Sequence, residues 1–238
     1  MSHYLLFQLQ GALASWGEPA VGEMRHTNTV PSRSALLGLL TAALGICRDE
    51  EERLAEFNRH YQFVVRLLNE GSWLSDYHTI QVPKESRKLH PASRKDELTL
   101  ELDDLQTILS RREYRCDVYY LVAIAMTEGA PHGLGELADA LRYPRFPLYL
   151  GRKSCPPGLP LAPVCQKGEL GVLLRQAEDR LLEDLQPRLG WGEVCYWEGD
   201  HQGLLLQQSQ FRIDQPLSRR RWQFTSRLQH RGLLVKGG

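Results

Sequence analysis

The chain lacks the features that would mark a membrane or exported protein. No apolar run reaches the roughly 18 residues that span a bilayer. The first residues, MSHYLLFQLQG, have no basic segment, and their apolar run is too short for a signal peptide. We therefore expect a cytoplasmic protein without membrane contact. Because 42% of its 238 residues are apolar, the chain can bury a substantial core, which excludes wholesale disorder.

Cysteine and histidine pairs at metal-binding spacings are also lacking. The five cysteines form no C-x-x-C pair, and neither H-x-x-x-H nor H-E-x-x-H occurs. These absences argue against a zinc knuckle, a redox motif and a zinc protease. The acidic run at 49–52 is typical of a solvated turn. We expect free thiols packed as small hydrophobes, no metal and no cofactor.

An excess of either charge is absent, since 29 Lys and Arg balance 29 Asp and Glu. The signs are nevertheless segregated. Residues 215–238 hold six cations and no acid, residues 142–153 hold four cations, and a third basic cluster runs over 83–95. Such a chain can present a positive face to a polyanion while staying neutral overall. Each cluster alone could be a solvated surface, but the three together favour a nucleic-acid ligand.

Hydrophobic patterning predicts an α+β fold. Apolar runs at 4–10, 61–68 and 116–126 predict strands. The segment 34–46 is apolar on nearly every side and predicts a buried helix, with Ser32 or Ser34 at its start and Gly45 at its end. A second short helix ends at Pro144. The order strand–helix–strand–strand–helix, followed by one extended element, is the split βαβ plan of a ferredoxin-like domain.

Two further segments complete the predicted architecture. The polar stretch 69–113 is too long for an idle connection, so it predicts a functional loop or hairpin inserted in the domain. Beyond about residue 165, one amphipathic helix and several short strands predict a small, mostly β lobe. We expect a ferredoxin-like domain over 1–165 and a C-terminal lobe over 166–238.

The segment 142–160, RYPRFPLYLGRKSCPPGLP, has a composition suited to single-stranded RNA. It has five prolines, three aromatics, four cations and no acid. Single strands are bound by stacking bases on aromatic or guanidinium planes and by placing cations on phosphates. Prolines lower the ordering entropy of binding, and a glycine lets RNA approach the main chain. The candidate contacts are Tyr143, Arg145, Tyr149, Gly151, Arg152 and Lys153, although Phe146 and Tyr149 could instead pack beneath the loop.

A second candidate phosphate site precedes the first helix. Backbone N–H groups and the positive helix end bind phosphate, and hydroxyl groups add donors. Plain helix capping by Ser32 or Ser34 is compatible with that role. The candidate contacts are Arg25, His26, Thr27, Ser32, Arg33 and Ser34. Trp16 could stack a base or pack the loop.

Tyr77, His78 and Lys84 raise an enzymatic alternative. Metal-free RNA cleavage needs a base for the 2′-hydroxyl, an acid for the leaving oxygen and a cation on the phosphate. These three residues could supply all three roles, and His26 or His90 could substitute. Eight histidines in 238 residues are easily found near cations, so catalysis is the alternative rather than the expectation. Tyr77 and His78 fit better at the base of the inserted segment, contacting or displacing a nucleotide.

Several long, unusual motifs occur in order along the chain. They are ASWG at 14–17, R-x-T-x-x-x-P-S-R-S-x-L-L-G-L-L at 25–40, DYHT at 76–79, REYRCD at 112–117, PRFPLYLGRKSCP at 144–156 and the closing KGG. This combination resembles the CasD-like subunits of Cascade, the surveillance complex of type I-E CRISPR systems. Segments 84–110 and 168–215 carry no matching motif.

The resemblance implies a specific role. CasD-like subunits have a ferredoxin-like (RRM-type) domain with a protruding hairpin thumb, clasp the 5′ handle of the CRISPR RNA (crRNA) and cap the backbone filament without cutting RNA. The implied partners are the crRNA, the backbone subunit, the large PAM-recognising subunit and, through the complex, target DNA. Arg112, in REYRCD, joins the expected RNA contacts.

Two other functions stay open. Because the corresponding type I-C subunit cuts precursor crRNA, a metal-independent endoribonuclease is the alternative. A protein–protein adaptor is a third possibility, distinguished by salt, since RNA affinity should fall steeply as salt rises.

Overall fold

The computed structural model of the chain describes residues 2–18, 20, 22–85, 91–181 and 192–235. Its strands are β1 (Ser2–Ala14), β2 (Met24–Arg25), β3 (Tyr61–Asn69), β4 (Ser72–Pro83), β5 (Leu105–Met126), β6 (Val164–Gly168), β7 (Val194–Trp197), β8 (Leu204–Ser218) and β9 (Gln223–Leu234). Its α-helices are α1 (Arg33–Leu44), α2 (Glu51–His60), α3 (Arg94–Leu98), α4 (Leu134–Arg142) and α5 (Leu170–Leu181), with a 3-10 turn at Leu102–Asp104. The predicted mixture of helices and strands is confirmed.

The strands form one large sheet in the order β6-β1-β5-β3-β7-β9-β8, and β2 and β4 also pair with β5. The four strands β6, β1, β5 and β3 pair antiparallel, with both Leu5 and Phe63 opposite Ile124. The strands predicted for a separate C-terminal lobe continue this sheet, because β7 pairs with β3. The domain boundary near residue 165 stays a prediction.

Both faces of the central sheet are covered. Successive residues of a strand point to opposite faces, so Leu5 and Phe7 pack with α1 and α4, whereas Tyr4 and Leu6 pack with α5. Tyr119 of β5 is also buried on the α5 side. The aromatic side chains on that face are therefore part of the core, and the sheet does not offer an open stacking platform there.

The helix predicted over 34–46 is α1. The Ser32 side chain accepts a hydrogen bond from the Ala35 N–H, and Gly45 ends the helix with a φ of 77°. That positive φ is the left-handed conformation that glycine adopts without strain. Of the two predicted caps, Ser32 and Ser34, the structure has Ser32, and the predicted end at Gly45 is confirmed.

The acidic run at 49–52 is only in part the solvated turn that its composition predicts, because Asp49 lies in an exposed turn. The run leads into α2, whose first turn contains Glu51 and Glu52 and whose Phe57 is buried. Acids at a helix N-terminus are stabilised by the helix dipole. The prediction was wrong for Glu51 and Glu52, which are helical because Phe57 anchors α2 in the core.

Within the segment 69–113, β4 and the first half of β5 form an antiparallel hairpin. The pairing runs from Ser72 opposite Cys116 to Pro83 opposite Leu105. Strand β1 pairs with β5 only as far as Arg115. The stretch 105–114 therefore extends past the central sheet, paired with β4 and, at residues 111–112, with β2. Among the described residues, no helix is long and apolar enough to cross a bilayer.

Candidate nucleic-acid interface

Three segments meet at the base of the β4–β5 hairpin, and we call this place the junction. They are the loop 15–30 after β1, residues 111–115 of β5 and the turn 150–155. The Ser15 N–H donates to the Leu150 carbonyl at 3.0 Å, and the Ser15 hydroxyl donates to the Glu113 carbonyl at 3.1 Å. Three parts of the chain that are distant in sequence are thus joined by hydrogen bonds.

The Glu113 carboxylate ties the loop 15–30 to the hairpin. One oxygen accepts the Thr27 N–H at 3.1 Å, and the other lies 3.0 Å from Nδ1 of His26. Burial raises the pKa of Glu113, but the hydrogen bonds from Thr27 and His26 outweigh it, so the pKa lies below its usual value. The carboxylate is therefore ionised at neutral pH, which strengthens both hydrogen bonds.

Arg152 crosses the junction. Its Nη1 donates to the Glu113 carbonyl at 3.2 Å and its Nη2 to the Arg25 carbonyl at 3.1 Å. Its guanidinium lies over the Tyr114 ring, 4.8 Å from the centroid. These three contacts within the protein compete with the predicted contact of Arg152 to RNA.

Gly151 is required by the protein itself rather than by an approaching RNA strand. Its φ is 89°, and a Cβ there would lie 1.8 Å from the Ser15 carbonyl oxygen. Any side chain would push the turn 150–155 away from β1. The predicted close approach exists, but the approaching group is the end of β1.

Cations surround the junction on its solvent side. Arg25, Arg111 and Lys153 are exposed, and the His26 side chain is 63% exposed. Strand β2 sets Arg25 beside Arg112 through its parallel pairing with β5. We call Arg25, His26, Arg111, Arg112 and Lys153 the basic surface, which includes both faces of the hairpin because Arg111 and Arg112 are consecutive in β5.

An exposed aromatic side chain adjoins the basic surface. Tyr77 lies opposite Arg111 in the hairpin and is 56% exposed, with the Arg111 guanidinium 5.9 Å from its ring centroid. Trp73, four residues earlier on the same face of β4, is also exposed. Cations beside exposed rings are the groups that single-stranded RNA needs for its phosphates and bases.

The predicted phosphate site at the start of α1 is occupied by the protein's own carboxylate. Asp214 of β8 accepts the Arg33 N–H at 2.8 Å, and the Ser32 hydroxyl is used in capping. The Ser34 hydroxyl lies 3.0 Å from that of Ser32. This prediction is corrected: an acid distant in sequence fills the anion position that the helix end offers.

The Arg33 side chain is internal as well, at 5% exposure. It pairs with the Glu198 carboxylate and donates from Nε to the Asn58 side chain at 3.0 Å. Arg227 completes the cluster through its 2.6 Å hydrogen bond to Asp214. Arg33 therefore holds β7 and β8 against α1 and does not present its guanidinium to a phosphate.

Trp16 packs in the core. It is 2% exposed, and its Nε1–H donates to the Tyr120 hydroxyl at 2.9 Å. The two rings meet edge to face. Of the two roles left open by the sequence, loop packing is the one that this burial supports.

The remaining predicted residues of the segment 142–160 are spread out. Tyr143 is 82% exposed and Arg145 is exposed, but the Arg145 N–H donates to the Ala43 carbonyl at the end of α1. Tyr149 is half-buried. The structure places Arg152 and Lys153 at the junction, Tyr143 at the C-terminal end of α4 and Arg145 at the C-terminal end of α1.

The residues of the nuclease alternative are not brought together. Tyr77 and His78 are consecutive in β4, so their side chains point to opposite faces. His78 pairs with Asp76. Lys84 follows six residues later, about 20 Å along an extended strand, where its Nζ donates to the Asp103 carbonyl at 2.5 Å. His90, the possible substitute, lies outside the described residues.

Glu113, Arg111 and Trp73 are the functional candidates that the sequence reasoning missed. Strand alternation contained part of the signal, because Trp73 and Tyr77 share a face of β4 and Arg111 and Arg115 lie opposite them. The contacts of Glu113 to residues 26 and 27 are long-range and carry no local signature.

Comparison with known proteins identifies the family. The family model described as CRISPR-associated protein (Cas_Cas5) matches residues 4–227. The chain belongs to the Cas5 family. Among its Cas5-type relatives is the CRISPR system Cascade subunit CasD of Escherichia coli (strain K12), 37% identical over 169 residues, which cover 68% of this chain and 70% of the relative.

Solved structures agree with the Cas5 assignment. A chain of a CRISPR RNA-guided surveillance complex superposes with a TM-score of 0.64 at 26% identity, covering 98% of this chain and 90% of the other. A crystal structure of a Cas protein gives a TM-score of 0.59 at 27% identity, covering 99% and 98%. The large antiparallel sheet with its helices is thus shared with these proteins.

Proposed function

We propose that this Cas5 protein is a noncatalytic subunit of a type I-E surveillance complex and that it binds the 5′ handle of the crRNA. The likeness to CasD and to a chain of a surveillance complex supports the assignment to such a complex. The observation that carries the RNA-binding role is the basic surface at the junction, where exposed cations adjoin Tyr77.

The architecture supports this location for RNA. The antiparallel order β6-β1-β5-β3, with α1 and α4 packed on one face, fits a ferredoxin-like plan, and the β4–β5 hairpin is the proposed thumb. Because α5 covers the opposite face of the sheet, bases cannot stack there as on an open RRM-type sheet. The RNA would instead lie against the thumb base and the loops of the junction.

The remaining parts of the proposal follow from the same likeness. The protein would work in the cytoplasm, cap one end of the backbone filament and contact the backbone subunit and the large PAM-recognising subunit. Target DNA would be reached through the assembled complex. No cofactor is required for binding through cations and rings.

The geometry supports a binding role over a nuclease role. General acid–base cleavage needs its groups within hydrogen-bond reach of one phosphate. Tyr77 and His78 face opposite sides of β4, and Lys84 is engaged near the other end of the hairpin. His26 is hydrogen-bonded to Glu113. The endoribonuclease alternative would require a rearrangement of the hairpin.

The test combines a binding titration and a cleavage gel. Purified protein is mixed, in EDTA, with labelled RNA carrying the cognate repeat sequence, at several salt concentrations. We expect salt-sensitive binding, intact RNA, and weaker binding by Arg111→Gln. The matched control is Arg142→Gln, because Arg142 pairs with Asp139 and the Pro163 carbonyl away from the junction. A defined cut abolished by His78→Ala would replace the proposal with the nuclease.

A further inference from the structure

We propose that Arg152 is a positioning residue, which holds the basic surface in its RNA-binding shape and does not itself contact phosphate. This inference rests on the proposed RNA-binding function and assigns separate tasks to two adjacent cations of the turn 150–155. Arg152 braces the junction from within, and Lys153 faces the RNA.

The Arg152 guanidinium is already engaged in contacts within the protein. Arginine recognises a phosphate with a planar fork of N–H donors. In Arg152 both terminal nitrogens already donate to backbone carbonyls, of Glu113 and of Arg25, and one face of the plane covers Tyr114. Two of the five N–H donors and one face of the guanidinium are therefore already used within the protein, which reduces what Arg152 can offer to a phosphate.

The two hydrogen bonds of the Arg152 guanidinium, which we call the brace, join β5 to the segment that contains Arg25. One carbonyl belongs to Arg25, whose side chain is part of the basic surface, and the other to Glu113, whose carboxylate binds residues 26 and 27. The turn 150–155 is itself fixed, because Gly151 lies against Ser15 and the Cys155 N–H donates to the Arg152 carbonyl at 2.9 Å. Arg152 thus connects a fixed turn to the peptide from which Arg25 and His26 project.

Holding the loop in place before RNA binds favours the binding free energy. Ordering a loop when a ligand arrives weakens binding, and holding the loop in advance avoids that loss. Residues 22–26 are exposed, so few packing contacts restrain them. The pairing of β2 with β5 and the hydrogen bond from Arg152 to the Arg25 carbonyl restrain them instead, and thereby preorganise Arg25 and His26 for the strand.

Charge-preserving substitution separates the two roles. Lysine keeps the charge of Arg152 but cannot bind two carbonyls in one plane and stack on a ring. For Arg152→Lys we expect about a tenfold loss of affinity for single-stranded repeat RNA, with an unchanged slope of log affinity against log salt. For Lys153→Gln we expect the slope to flatten by about 0.7, the value for one phosphate contact on a single strand. Lys153→Arg is expected to bind like the unmodified protein.

A double-mutant cycle adds a readout that a general loss of stability would not change. If Arg152 positions Arg25, then Arg25→Gln should cost less affinity in the Arg152→Lys protein than in the unmodified protein. Arg142→Lys is the matched control, because Arg142 also donates to a backbone carbonyl, that of Pro163. Its cycle with Arg25→Gln should be additive.

The inference is overturned if Arg152→Lys binds like the unmodified protein while Arg152→Gln flattens the salt slope by about 0.7, since Arg152 would then contact phosphate. An additive cycle with Arg25 would also overturn it. Hydrogen exchange without RNA separates its failure from that of the proposed function. The brace predicts faster amide exchange over residues 22–28 in Arg152→Lys but not in Lys153→Gln. If the unmodified protein binds no RNA, the proposed function fails, and unchanged exchange would refute the brace as well.

Discussion

The start of α1 and the junction contain similar residues but differ in how a carboxylate is used. At α1, Asp214 accepts the Arg33 N–H and Glu198 pairs with the Arg33 guanidinium. The cation is therefore paired inside the protein. At the junction, Glu113 binds a backbone N–H and a histidine, and Arg25, Arg111 and Lys153 stay exposed. The cations of a basic motif therefore stay exposed only where the acids of the fold do not pair with them.

The largest effect is expected on stability, from a substitution beside the start of α1. Asp214→Asn should lower the free energy of unfolding by about 3–5 kcal/mol, because it removes the carboxylate that accepts two hydrogen bonds from the buried Arg227 guanidinium and one from the Arg33 N–H. Denaturant unfolding measures this loss. Glu128→Gln, at an exposed position, is the control and should change stability by less than about 0.5 kcal/mol. Equal effects of the two substitutions would contradict a stabilising role for the buried pairs.

The second prediction concerns pH and the same carboxyl. Burial raises the pKa of Asp214, but Arg227 and the Arg33 N–H outweigh it and hold the pKa below its usual value. A carboxyl with a lowered folded-state pKa stabilises the fold above its unfolded pKa of about 3.9, and this contribution is lost as pH falls through the folded value. The stability difference between the unmodified protein and Asp214→Asn should therefore be largest near neutral pH and shrink below about pH 4. A difference that stays constant from neutral to acid pH would refute this.

The third prediction concerns RNA binding by Arg111 at the junction. Arg111→Gln should weaken binding of single-stranded repeat RNA several-fold and flatten the salt slope by about 0.7. The unfolding free energy should stay within about 0.5 kcal/mol, because the side chain is exposed. The opposite pattern, a loss of stability with an unchanged salt slope, would place Arg111 in the same class as Arg33.

The smallest effect concerns the His26–Glu113 pair. His26→Gln should reduce stability by less than about 1 kcal/mol, because the His26 side chain is largely exposed and such pairs contribute little. RNA affinity should fall by a small factor through loss of one imidazole group near the strand. A large drop in stability, measured by thermal unfolding, would show that the loop 15–30 depends on this pair more than its exposure suggests.

Much of the fold was predictable because its signals are local. The apolar run at 34–46 and the caps Ser32 and Gly45 give α1 directly, and the β-branched and aromatic run at 116–126 gives the centre of β5. The role of Trp16 could not be predicted, because a large aromatic side chain suits both packing under a loop and stacking on an RNA base. Only its hydrogen bond to Tyr120, 104 residues away, decides between them.

The candidate site was predictable in composition but not in its division of roles. Cations in 25–34 and 145–153 were singled out as candidate RNA contacts, and this stays a prediction; Arg33 lies in the core, and the Arg152 guanidinium donates to two backbone carbonyls. Both outcomes depend on contacts across the fold, to Asp214 and Glu198 for Arg33 and to residues 25 and 113 for Arg152. Such contacts leave no periodic or local pattern in the sequence.

The most direct test of the account is photo-cross-linking of the full chain to repeat RNA that carries 4-thiouridine in its 5′ handle, followed by mass spectrometry of the linked peptides. We expect cross-links to residues 22–28, to 73–77 and 111–112 of the hairpin, and to Lys153. Cross-links concentrated at residues 32–34, or on the α5 face of the sheet, would contradict this prediction.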